Sequence, residues 1–182
     1  MTQPADKVSN TEGTSAQFFR IGKNGIVVHN RGTGSPPTNP VPQDGDLYFE
    51  ITTGVLFFYD AGRSKWLSTE SYVLQSGRNG NTGNNGFYRG VNGLVLNANR
   101  GWPAFFDGTI VGLGYTRDDT DNANFQILAA GSVITTVNST SRSAVINTLD
   151  DDFDQGQILA FRNSGNTTSN VQIWARIKWR IT

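Results

Sequence analysis

Cysteine is absent from all 182 residues, which excludes disulfides and thiolate metal sites. No run of about 18 apolar residues occurs, so no membrane-spanning helix is expected. Charge is sparse at 16%, and 15 basic residues balance 15 acidic ones for a formal net charge of zero. A dominant nucleic-acid or anionic-membrane partner needs a positive field, so neither is expected. The segment Met1-Thr2-Gln3-Pro4-Ala5-Asp6-Lys7 lacks the apolar stretch of a signal peptide. Synthesis in a cytoplasm and use without Sec export are the expectation. Helical periodicity is missing from every segment longer than about ten residues.

What is present favours strands and tight turns. The chain holds 21 Gly with many Asn, Thr and Ser, and aromatics reach 11%, enough for a core. One stretch stands out: Asp46-Leu47-Tyr48-Phe49-Glu50-Ile51, then Thr52-Thr53-Gly54, then Val55-Leu56-Phe57-Phe58-Tyr59, closed by Lys65-Trp66-Leu67. Folded about Thr-Thr-Gly, Leu47 would face Tyr59, Phe49 would face Phe57, and Ile51 would face Val55. The other face would pair Tyr48 with Phe58 and Glu50 with Leu56. A hairpin covering one core alternates apolar with polar. This one is apolar on both faces and needs a cover on each, from another copy or a partner.

The organisation follows from composition. Residues 1–16 are small and polar without period, an extended arm ordered only when something holds it. Phe18-Phe19-Arg20-Ile21 and Ile26-Val27-Val28-His29 flank an Asn24-Gly25 hairpin signal. Residues 31–45 hold four of the six prolines and read as a stiffened linker within an attachment region spanning 17–76. A Gly/Asn tract, 77–86, reads as the interdomain linker. From 87 to 182, strands are expected at 87–91, 93–97, 108–117, 123–129, 131–137, 142–149, 156–163 and 170–181. That is the spacing of a sandwich or jelly roll. The last is clearest: Val171, Ile173, Ala175, Ile177, Trp179 and Ile181 share one face, while Gln172, Trp174, Arg176, Lys178 and Arg180 share the other.

No catalytic set assembles from these residues. His29 is the lone histidine, and a two-residue Asn-Gly turn sets it opposite Arg20, whose charge lowers its basicity. No Gly-x-Ser-x-Gly turn is present. Asp118-Asp119-Thr120-Asp121 and Asp150-Asp151-Asp152-Phe153-Asp154 invite a calcium reading, and Asp150, Asp152 and Asp154 have alternating spacing. An EF-hand-like loop would need Gly at Gln155 and Glu at Phe161, so a solvated turn is the better reading. Paired carboxylates for glycoside cleavage need a larger body than this chain offers. Gly32-Thr33-Gly34-Ser35 runs into Pro36-Pro37, which donate no N–H to a phosphate. No enzyme activity and no cofactor are expected. Trp174, on the polar face beside Arg176, suits a subunit contact, because Trp and Arg are enriched at interface centres. Trp66 and Trp102 are expected to cap local cores.

Two stretches resemble a known class. Gly45-Asp46-Leu47-Tyr48-Phe49, Leu56-Phe57-Phe58-Tyr59-Asp60 and Lys65-Trp66-Leu67 resemble a short element of tailed-bacteriophage virion proteins. It occurs in tail-fibre and baseplate proteins and near the N-terminus of capsid-decorating proteins. Residues 106–117, 123–127, 153–160 and 171–177 resemble the jelly-roll domains of trimeric phage appendages. The resemblance implies an all-β homotrimer: an extended arm with β-hairpins, then a jelly-roll-like β-sandwich.

It further implies a capsid decoration, cement or head-fibre protein that binds the major capsid protein or another virion protein. Such a protein sits on the virion, at the capsid surface. The interface candidates are Phe18, Phe19, Leu47, Tyr48, Phe49, Phe57, Phe58, Tyr59, Trp66, Trp174 and Arg176. The alternative expectation is a short tail fibre or receptor-binding tip that recognises a host surface glycan or protein. A cellular carbohydrate-binding sandwich would leave the hairpin unexplained.

Overall fold

A computed structural model describes residues 18–20, 27–38 and 41–182, with side chains from residue 31 onward. The arm 1–16, the Asn24-Gly25 turn and the side chains of Phe18, Phe19 and His29 lie outside the described part. The described residues form strands and turns with no helix. They fall into two units, one of residues 1–70 with 180–182 and one of residues 71–179.

The first unit is a sheet built along the chain. β1 (Phe18–Arg20) pairs antiparallel with β2 (Val27–Gly32), and β2 runs parallel to β3 (Leu47–Glu50). β4 (Val55–Asp60) and β5 (Lys65–Ser68) follow as an antiparallel meander, and Arg180 and Ile181 pair with Leu67 and Trp66. The register places Phe18, not Arg20, opposite His29.

The second unit is a β-sandwich. One sheet has the order β6 (Tyr72–Thr82), β15 (Thr168–Ile181), β9 (Gly108–Thr116), with β12 (Ser143–Ile146) and β13 (Asp151–Phe153) both on the far edge of β9. The other runs β11 (Ser132–Ser139), β10 (Ala123–Ala129), β14 (Ile158–Asn163), with β7 (Gly86–Phe87) and β8 (Trp102–Pro103) on the far edge of β14. Count β7 with β8 as the second sandwich strand and β12 with β13 as the sixth. The sheets then read 1-8-3-6 and 5-4-7-2, the interleaved order of a jelly roll.

The alternation in the last strand sorts as its period requires. Val171, Ile173, Ala175 and Ile177 are buried against Ile110, Leu113 and Tyr115 of β9. The facing sheet contributes Phe125 and Ile127 of β10 and Leu159 and Phe161 of β14, all at most 1% exposed. Tyr115 stacks on Phe125 at 4.2 Å between centroids. Trp102 meets Phe161 edge-on at 5.7 Å, and Trp66 lies among the aromatics of the first unit, so both cap local cores.

The Gly/Asn tract is not a linker. Residues 72–82 form β6, paired with β15 from Tyr72–Ile177 through Thr82–Thr168, and the unit boundary falls at Glu70/Ser71. An edge strand is held by backbone hydrogen bonds, so polar and glycine residues suffice where the inward side chains are few. The irregular step is a bulge in β6, where Asn79 and Gly80 (φ 80°) together oppose Asn170 (φ 50°), tied by Gly80 N–H donating to Asn170 Oδ1 at 2.7 Å. The expected strand 93–97 reduces to two isolated bridges, Arg89 with Val95 and Asn97 with Arg100.

The hairpin between β10 and β11 closes through Ala130-Gly131, both at positive φ (47° and 83°). Such a two-residue turn matches the strand twist, but an alanine Cβ is strained there. Replacing Ala130 with Asn is expected to raise stability by about 1 kcal/mol. In a thermal melt this reads as a rise of roughly 3 °C in Tm.

Candidate functional site: the aromatic hairpin

The β3–β4 register differs by one residue from the expected one. Leu47 pairs with Phe58, Tyr48 with Phe57, Phe49 with Leu56 and Glu50 with Val55. Ile51 therefore belongs to the turn, which is four residues long, Ile51–Gly54. Glu50 decides this. Its carboxylate accepts the Thr52 N–H at 3.0 Å and both the N–H and hydroxyl of Thr53 at 2.6 Å, while Gly54 N–H donates to the Glu50 carbonyl at 3.0 Å. Gly54 then closes the turn at φ 70°, where a side chain is disfavoured. A three-residue turn would forfeit that set of charge-assisted bonds.

One consequence is a clean division of the aromatics between two faces. Tyr48, Glu50, Phe57, Tyr59, Trp66 and Ser68 share the inner face. Tyr48, Phe57 and Trp66 are only 2%, 4% and 7% exposed. Trp66 meets Tyr48 and Tyr59 edge-on, at 6.1 and 5.4 Å. The Tyr48 hydroxyl donates to the Gly34 carbonyl at 3.0 Å, and Gly34 N–H reaches Glu50 at 3.3 Å. The Pro-rich segment thus folds back over this face rather than spacing the hairpin from β2. Tyr48, Phe57 and Trp66, expected as interface residues, are buried within the chain's own first unit. Tyr59 is half-buried beside them.

The outer face carries Leu47, Phe49, Leu56 and Phe58, with Ile51 at the turn. Phe49, Leu56 and Ile51 are 38%, 37% and 49% exposed, while Leu47 and Phe58 are half-buried. The expectation that the ribbon is apolar on both sides therefore resolves into one filled face and one open one. A cross-strand apolar pair such as Phe49–Leu56 holds the ribbon together but leaves its outer surface in water.

Glu50 ties the filled face to pH. Burial pushes its pKa up, but the bonds from Thr53 and Thr52 outweigh burial and bring it down to about 2. Burial, and Glu50 next, push the Tyr48 phenol up. The Glu50 contribution is complete above the unfolded carboxyl pKa of about 4.3 and disappears as pH falls through about 2. Glu50→Gln is expected to cost about 1.5–3 kcal/mol at pH 7. Thermal melts of both proteins should converge as the pH is lowered across that window.

The remaining site candidates lie in the second unit. Trp174 is half-buried and Arg176 exposed on the outer side of β15, and the indole lies over Gly114, 3.9 Å from where a Cβ would sit. Val145, 75% exposed, completes that cross-strand row through its pairing with Gly114. The Asp runs are spent on structure. Asp152 accepts the Thr109 hydroxyl at 2.7 Å, and Asp151 accepts that of Thr135 at 2.8 Å. Asp151–Phe153 is a strand, not a solvated turn, because β9 offers it a pairing edge. Among the described residues, no three His, Cys, Asp or Glu side chains converge as a cation cage.

Sequence reasoning passed over Arg117. Its side chain is fully buried, and its guanidinium donates to the carbonyls of Ser141 (2.9 Å) and Ser139 (3.0 Å) and to Asp119 (2.9 Å). It also sits over the Phe125 ring at 5.7 Å, and Asp119 in turn accepts the Ser169 N–H. The Asp119 partner two residues on is the one local hint. No family model matches the chain, and no curated protein is similar to it in sequence.

Proposed function

We propose that this protein is a non-enzymatic structural component of a tailed-phage virion. In this reading it decorates the capsid as a trimer, binding the outer shell and stabilising it through subunit contacts. The observation that carries it is the open outer face of the hairpin, where Phe49, Ile51 and Leu56 stand in water beside Leu47 and Phe58. Contiguous apolar surface of this kind marks an interaction site. The resemblance of the same residues to a virion element supplies the setting.

The mechanism is mechanical. The hairpin and the arm before it engage the shell or neighbouring copies, and the sandwich forms the outward knob. Apolar area buried across each joint contributes about 25 cal/mol per Å², less the cost of association. Three attachments per trimer add avidity. Those contacts oppose the outward pressure of packaged DNA.

Imaging of virions labelled with an antibody to this protein, together with particles lacking it, tests the proposal. Copies spread over the head, with heads that burst more readily when the protein is missing, are expected. A few copies at the tail, with intact heads and lost adsorption, would transfer the protein to receptor binding. Absence from particles would overturn both readings.

A further inference from the structure

The outer face of the β6–β15–β9–β12 sheet brings together side chains that its register places exactly opposite the core. Val171, Ile173 and Ala175 are buried inward, so Gln172, Trp174 and Arg176 point outward together with the residues they pair. Two neighbouring rows result. One runs Val145, Gly114, Trp174, Gln75; the other runs Ser143, Thr116, Gln172, Gly77 and is extended by the bridge from Gly77 to Arg89. Within them Trp174, Gln75, Gly77 and Gln172 form a square. The two glutamines hold one diagonal, about 7–8 Å apart at the backbone, and the indole and Gly77 hold the other.

Gly77 is the empty corner. A Cβ there would lie 2.6 Å from the Val171 carbonyl, so this position stays bare backbone. A groove of about 520 Å³ opens over it, walled by Gln75, Gln172 and residues 89–91, within the size range of small-molecule sites. Gln75 and Gln172 are exposed, and neither amide has a hydrogen-bond partner among the described residues. The half-exposed Trp174 has no ring partner there either and lies on Gly114.

Both signs of charge flank the groove. Arg89 gives Nη1 to the Gly93 carbonyl at 2.9 Å, and the lining residue Asn170 donates its amide to Asp118 at 2.6 Å. A nucleic acid needs a field of one sign, which this mixture lacks. A peptide added as a strand needs an open edge, and Arg89 already takes both backbone bonds at Gly77. Amides that donate and accept suit hydroxyls, and an indole suits the apolar face of a sugar ring.

We propose that this face binds a neutral oligosaccharide. One pyranose ring sits over Gly77 with a glutamine amide on either side, and the adjoining ring lies against Trp174. The inference concerns the sandwich and does not rest on the capsid reading of the hairpin.

The test is NMR and calorimetric titration of the full chain with maltotriose, cellotriose, galactotriose and chitotriose. Trigalacturonate, a proline decapeptide and a thymidine decamer serve as the acidic-sugar, peptide and nucleic-acid comparisons. At least one neutral trisaccharide should bind about tenfold or more tightly than every comparison. It should shift the Trp174 indole N–H and the side-chain amides of Gln75 and Gln172. Trp174→Ala should weaken it about tenfold, and Gln75→Ala and Gln172→Ala about threefold each. Thermal melts should change little, because all three side chains lie outside the core. Tighter binding of trigalacturonate, the peptide or the decamer would overturn the neutral-saccharide assignment. So would no binding of any neutral trisaccharide up to about 20 mM, or variants that bind like the wild type.

Discussion

Replacing Arg117 with alanine is expected to remove about 3–5 kcal/mol from the stability of the sandwich. The guanidinium holds three acceptors from two places in the chain. Ser139 and Ser141 lie at and beyond the end of β11, and Asp119 follows β9, so the side chain ties a strand of one sheet to a strand of the other. Truncation leaves two carbonyls without their donor and Asp119 without its cation, although Asp119 keeps the Ser169 N–H. It also uncovers the Phe125 ring, which packs against Tyr115 and Tyr88.

Tyr88 reports on the same cluster. Burial pushes its phenol up to about 12, and its Thr168 hydrogen bond and Arg117 only partly offset that. Arg117→Lys should recover part of the loss, because an ammonium keeps the charge but concentrates its donors on one atom and cannot match the planar spread of Nε, Nη1 and Nη2. Denaturant unfolding of wild type, Arg117→Ala and Arg117→Lys checks the order. Equal stability of all three would show that the acceptors find water instead.

Legibility from sequence divides along a physical line. The last strand was readable because one side of its period-two pattern is fully buried, which fixes facing without knowledge of its neighbours. Its partner β6 was not readable. Its glycines, asparagines and serine are held by backbone bonding to β15, and backbone bonding leaves no mark in side-chain pattern.

Glu50 shows the same limit at short range. Its four-residue turn depends on a carboxylate reaching two N–H groups and a hydroxyl, and Thr-Thr-Gly alone suggests a shorter turn. That one-residue difference decides which aromatics are buried with Tyr48 and which stay outside with Phe49. Asp151 and Asp152 look like a cation loop until Thr135 and Thr109 are brought to them from 16 and 43 residues away. Arg117 stays hidden for that reason too, since its carbonyl acceptors come from residues 22 and 24 positions on.

The paired change Phe49→Lys with Leu56→Glu is expected to abolish self-assembly while leaving the hairpin folded. The two positions face each other directly across β3 and β4, so the new charges attract and replace a cross-strand apolar contact with an ionic one. Both point to the open face, away from Tyr48, Phe57 and Trp66, so the filled face is unaffected. On an interface, however, the surface these two side chains still expose, a little over a third of each, would be lost as apolar contact at about 0.5–1 kcal/mol apiece, and two charges would have to be desolvated in its place. The apolar loss alone weakens each joint by a factor of roughly 5–30, and the desolvation adds to it. Sedimentation of wild type and variant over a range of concentrations measures this directly. Intrinsic fluorescence, to which Trp66 contributes along with Trp102, Trp174 and Trp179, reports in parallel whether the aromatics stay packed. A trimeric wild type and a monomeric variant with unchanged fluorescence would assign the open face to subunit contact. A trimer that survives the change would place the subunit contacts elsewhere in the chain and leave this face for a different protein. A wild type that is monomeric at all concentrations would remove self-assembly and leave a different protein as what covers Phe49, Ile51 and Leu56 on the proposed reading.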